Sequence, residues 1–237
     1  MKKTISNSSL VAEVNTNGGY IDSLKLGDKL IFFPKVMVKI GDELKVRGGM
    51  HVCAPNFSAD KIFNKLPSHG FCRDRDWKIE DSNDSAIRLS LSIEGEGDYE
   101  DVLFKLSYEL VEKSLFATVK IENNSSSDKI IAPAFHPYFY ANHDDFVIDD
   151  IQINKDDLPN SIYSKSNSQG FRANGNHIMV KGITNVNEFV FWTDFKGDYI
   201  CVEPTYNSIA FSDKNKQTYK LGPGNEFELK IEIKILD

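Results

Sequence analysis

Cysteine is scarce in this chain: Cys53, Cys72 and Cys201 are three in 237 residues. An odd number without paired metal spacing fits buried free thiols in a reducing compartment better than a disulfide framework. Positive charge is also short. With 28 Lys and Arg against 35 Asp and Glu, a net charge of -7 leaves no general attraction for nucleic acid or an anionic membrane. No apolar run has the length of a bilayer span. Lys2 and Lys3 have no apolar stretch behind them, so no secretory leader is expected and the expected location is cytoplasmic. Long helical periods, solenoid repeats and a glycine-rich phosphate loop are missing too, which argues against alternating β and α units, stacked repeats and a nucleotide cofactor.

What is present is period-two alternation. Leu10–Val14 and Tyr20–Leu26 lie on either side of Asn17-Gly18-Gly19, and Ile87–Ile93, Phe104–Leu110, Leu115–Ile121 and Phe227–Ile235 repeat the pattern with one dry and one wet face. Such strands belong to antiparallel sheets with one buried face. The polar run Asn123–Asp128 reads as a turn between two of them. Hydrophobic residues at 41% suffice for a core of this size. The expectation is an all-β chain, one large antiparallel β-sandwich domain over residues 1–237.

Three stretches break the alternation. Between Arg47 and Trp77 lie three of the five arginines (Arg47, Arg73, Arg75), two of the five histidines (His51, His69), and Gly48, Gly49 and Gly70. Arg75 reads as a surface charge. Glycines there permit positive φ or close approach of a ligand to the backbone. The second stretch, Ala132–Tyr140, places His136 before Pro137 among Phe135, Tyr138, Phe139 and Tyr140. The third places Glu203 before Pro204 after the apolar run Ile200-Cys201-Val202. A residue before proline is held extended, and proline lacks a ladder donor, so both are expected at a strand end, an edge or a bulge. Apolar neighbours raise a carboxylate's basicity, as a general base needs, while Trp192 reads as core.

Arg47-Gly48-Gly49, His69-Gly70-Phe71-Cys72-Arg73 with Trp77, His136-Pro137-Tyr138-Phe139 and Cys201-Val202-Glu203-Pro204 together resemble the aldose 1-epimerase (mutarotase) family, in the family's order. The resemblance implies the galactose-mutarotase-like β-sandwich and a small-molecule sugar substrate, with no cofactor or metal. It also implies His136 as general acid on the ring oxygen and Glu203 as general base on the anomeric hydroxyl. It makes Arg47, His69 and Arg73 sugar-binding residues, with Asp194 the candidate for the family's sugar-binding aspartate. The chain departs from the pattern at Met50-His51, where an aliphatic residue and proline are usual, and at Ser58, where glycine is.

Interconverting anomers opens the ring to the aldehyde and closes it on the other face, which two groups exchanging proton roles accomplish. Other readings stay open: a hexose-6-phosphate mutarotase using Arg47 and Arg73, or a carbohydrate-binding sandwich without turnover. A metal hydrolase built on His51, His69 and His136 finds no support in their spacing.

Overall fold

The computed structural model describes residues 1–63, 65–93 and 97–236. Among them an eight-stranded antiparallel sheet has the spatial order Val147–Ile148, Ser168–Ala173, Asn176–Thr184, Glu226–Ile235, Ser114–Asn123, Val102–Val111, Ala86–Ser92 and Lys78–Ser82. Its sequence pattern dictates its packing. Phe104, Leu106, Tyr108 and Leu110 are buried while Lys105 and Glu109 between them are exposed, and Ala117, Val119, Leu229, Ile231 and Ile233 continue the dry face.

The second sheet has nine strands among the described residues: Lys2–Ser6, Leu10–Asn15, Tyr20–Leu26, Met50–Cys53, Ala134–Tyr140, Tyr199–Thr205, Glu188–Trp192 and Ile162–Ser164, with Lys29–Leu30 beside Tyr20–Leu26. Its inner residues Val52, Phe135, Phe139, Val202, Phe189 and Phe191 join those of the first sheet in one hydrophobic cluster. Contacts bridge the layers: Phe139 meets Phe171 at 4.7 Å between ring centroids, and the Tyr108 hydroxyl donates to the Gly19 carbonyl at 2.7 Å. Helix among the described residues amounts to three short 3-10 segments. The all-β sandwich is therefore the one the alternation predicts, and no described helix is long and apolar enough to cross a membrane.

Pro204 lies one residue from the end of its strand, as expected, but Pro137 is mid-strand and neither strand is at a sheet edge. Pro137 and Pro204 sit inside strands with a neighbour on each side, Ala134–Tyr140 between Met50–Cys53 and Tyr199–Thr205, and Tyr199–Thr205 between that strand and Glu188–Trp192. Tyr138 N–H donates to Gly49, away from Tyr199–Thr205, and Tyr206 N–H donates to Pro133. Because N–H groups alternate sides along an antiparallel strand, the donors missing at Pro137 and Pro204 both belong to one seam. Pairing across that seam holds at Ala134 with Thr205 and resumes at Tyr138 with Cys201, leaving it open between. Two absent donors in one interrupted ladder cost little, so the prolines are accommodated mid-sheet.

Candidate active site

The outer face of the nine-stranded sheet carries the site. Register pairs His51 with His136, Ala134 with Thr205 and Tyr138 with Cys201, which puts His136 opposite Glu203 at the open seam. Val190 lies opposite Glu203 on the next strand. His51, His136, Glu203 and Val190 thus form one row of side chains across four strands, over an inner row of core residues.

Above this row lies a cleft of about 600 Å³. His51, His136 and Glu203 are 1%, 4% and 1% exposed, so they are its floor. Tyr20, Phe57, Tyr138, Tyr163 and Trp192 give the walls flat apolar surface edged with hydroxyls. His136 Nε2 stands 3.4 Å from Glu203 Oε2, longer than a well-formed hydrogen bond, and Oε2 and His136 Nδ1 have no partner. The His136 ring is stacked between Tyr138 at 4.7 Å and His51 at 4.9 Å, with His69 edge-on at 5.0 Å. The histidines are scattered singly in the sequence, yet the fold gathers three of the five.

Burial pushes the Glu203 carboxyl well above the ordinary carboxylate range. Burial, joined by the charges of His69, Arg73 and Arg47, holds His136 well below the ordinary imidazole range. His69 is lowered to about 3 by desolvation and the Arg73 and Arg47 guanidiniums. Both directions favour the uncharged forms, a protonated Glu203 carboxyl beside a neutral His136 imidazole.

The rim residues come from loops and a hairpin. Arg47 ends the hairpin Val36–Ile40/Glu43–Arg47; its Nε and Nη2 donate to Asp194 Oδ2 at 2.9 and 2.8 Å, and its guanidinium lies 5.3 Å over Trp192. The Tyr199 hydroxyl donates to the other Asp194 oxygen. Gly48 turns the chain back at φ +88, where a Cβ would meet the Pro34 carbonyl oxygen at 2.1 Å. His69 occupies positive φ itself, at 65°, which a non-glycine residue adopts at a cost of about 1–3 kcal/mol. Its Nδ1 contacts Cys53 Sγ at 3.4 Å. Arg73 is half-buried, donates to the Ser68 carbonyl at 3.4 Å and has Nε 3.8 Å from Asp74. His136, Glu203, Arg47, His69 and Arg73 all line the cleft, while Asp194 braces Arg47 from behind. Trp192, expected in the core, is half-buried and lines the cleft.

The family model for aldose 1-epimerase matches residues 1–168. The chain belongs to the aldose 1-epimerase family. Solved structures similar to this family member agree in fold. The Slr1438 protein of Synechocystis sp. PCC 6803 shares 19% identity over 99% of this chain and 95% of its own, at TM-score 0.82. A galactose mutarotase related enzyme of Lactobacillus acidophilus shares 19% over 100% and 98%, at 0.80. A galactose mutarotase-like protein of Lactobacillus casei shares 17% over 99% and 100%, at 0.79. A search of curated proteins found no match. The family match includes His136 but ends before Asp194 and Glu203; strand register places Glu203 beside the matched residues, and the bond from Arg47 places Asp194.

Two residues of this aldose 1-epimerase family member were given no role in the sugar site by the sequence reading. His51 lies on the floor, and Cys201 shares the outer face with Glu203 two residues along the same strand. Ligand atoms of His136, Cys201 and Glu203 lie within 4.8 Å of one another, a set with the donor types that hold a soft cation. The parity of Met50–Cys53 was the available signal for His51, since Met50 and Val52 face the core and His51 and Cys53 must face away. Cys53, Cys72 and Cys201 are buried and unbridged, as expected.

Proposed function

We propose that this chain interconverts the α and β anomers of an aldose, with Glu203 and His136 as the proton-exchanging pair. The observation that carries this reading is the cross-strand placement of Glu203 and His136, 3.4 Å apart on the floor of a sugar-sized, aromatic-walled cleft. The step starts from the ionised pair, reached by moving the Glu203 proton to His136: the Glu203 carboxylate takes the proton of the anomeric hydroxyl, the C1–O5 bond breaks with its electrons going to O5, and the His136 imidazolium delivers its proton to O5. The aldehyde turns about the bond from C1 to C2. Closure on the other face reverses both transfers and restores the pair, so no net proton is consumed. The single shared proton suits this exchange, because each ring opening only moves it from one partner's side to the other's. Unpartnered Glu203 Oε2 and His136 Nδ1 are buried atoms that a polyhydroxylated ligand or its bound water would satisfy.

A free aldose is placed ahead of an obligate 6-phosphate. Arg47 commits Nε and Nη2 to Asp194 and Nη1 to the Val46 carbonyl, so its fork is already engaged. The experiment is NMR exchange between glucose anomers with wild type, Glu203→Gln and His136→Asn. Each variant should lose about two to four orders of magnitude in exchange, the scale of general acid or base loss. Near-normal exchange by either variant would remove the role given to that residue. Glucose 6-phosphate, run beside glucose, tests the ordering of substrates.

A further inference from the structure

His51 is the polar residue on the cleft floor that the proton exchange does not use. Its ring packs between Tyr20 and His136, each 4.9 Å away between centroids, and lines the cleft. Both ring nitrogens are buried without a hydrogen-bond partner. A buried polar atom left unpaired costs about 1–3 kcal/mol, so two on one ring call for a ligand group or water that pairs them. Burial first, then the neighbouring His136 and Arg73, keep this imidazole neutral at physiological pH. A neutral imidazole offers one donor and one acceptor, which matches a hydroxyl and matches an anion poorly.

The row fixes which hydroxyl, given the acid and base roles proposed above, on which this inference rests. Glu203, His136 and His51 follow one another on three adjacent strands. With the anomeric oxygen at Glu203 and the ring oxygen at His136, the next atoms in the same direction are C5 and its exocyclic carbon. We infer that His51 hydrogen-bonds the hydroxyl on C6 of a hexose and makes the site selective for aldohexoses with that hydroxyl free. The imidazole is a specificity residue. It takes no part in the proton exchange.

The test compares kcat/KM for anomer exchange of glucose, 6-deoxyglucose and xylose. In wild type, glucose should exceed 6-deoxyglucose by about tenfold or more, the loss expected when a buried donor or acceptor is left unpaired. In His51→Phe, which keeps a ring in the stack, that ratio should fall to within about twofold of unity. In His51→Gln, which keeps a donor and an acceptor, part of the preference should return. A wild-type ratio near unity overturns the inference, as does a His51→Phe enzyme that loses rate equally on all three sugars and so retains the ratio. If His51→Phe does not fold, the wild-type ratio and the His51→Gln ratio decide. Exchange of xylose by wild type that is abolished in Glu203→Gln keeps the proposed function standing even where the His51 ratio fails. Absence of exchange on every sugar removes both.

Discussion

In the eight-stranded sheet, Val102–Val111, Ser114–Asn123 and Glu226–Ile235 bury one face and wet the other, whereas Met50–Cys53 and Tyr199–Thr205 in the nine-stranded sheet are buried on both. The wet face of the first sheet satisfies its polar groups with water and with exposed pairs such as Lys105 with Glu122. The outer face of the second holds His51, His136 and Glu203 with buried atoms unpaired. Such atoms cost stability that packing elsewhere must offset, so one sheet supplies stability and the other spends part of it on reactive groups.

Three outcomes would sharpen or break that contrast. The largest effect is on the reactive face: the loss in anomer exchange from Glu203→Gln and His136→Asn should come with a smaller loss of thermal stability than a core truncation gives, because neither side chain has a well-formed hydrogen bond to lose. A fall in Tm matching that of a core truncation would instead make these residues structural. On the scaffold face the effect reverses. Leu229→Ala, at a fully buried position in the shared core, should lower unfolding free energy by about 2–5 kcal/mol. Its exchange rate per folded molecule should stay within a few-fold of wild type, and a drop of a hundredfold would deny that the two roles are separable.

A smaller effect is expected in acid. His51 has its folded pKa well below the ordinary 6.5, so the unfolded chain binds the extra proton first as pH falls. Stability from this group is fully present above 6.5 and is lost on acidification toward the folded pKa. Between pH 6.5 and 5, wild type should lose up to about 2 kcal/mol more than His51→Phe in urea unfolding. Parallel curves would mean that His51 is protonated without penalty. Glu203 acts in the opposite direction, since its raised folded pKa makes its burial costly above the ordinary 4.5.

The same contrast explains what could be read from the sequence. Leu115–Ile121 and Phe227–Ile235 were legible because a sheet wet on one side writes a period of two, and the observed strands extend those runs by no more than two residues at either end. The strands under the cleft are buried on both sides, so Ala134–Tyr140 and Tyr199–Thr205 show no such period and their prolines suggested an edge. His136 and Glu203 were found through motif resemblance and their neighbours. The Arg47 pairing with Asp194 joins residues 147 apart, and the meeting of His51, His69 and His136 depends on register and loop return; neither leaves a local mark.

The central claim is that Glu203 and His136 act as one proton-exchanging unit at the open seam. Its most direct test is NMR anomer exchange of glucose by the double variant Glu203→Gln/His136→Asn beside the two single variants, each checked for folding. Residues acting as a unit are non-additive, so the double variant should fall within about threefold of the slower single variant. Losses that multiply, or a wild-type chain that leaves the anomer exchange rate at its spontaneous value, would contradict it.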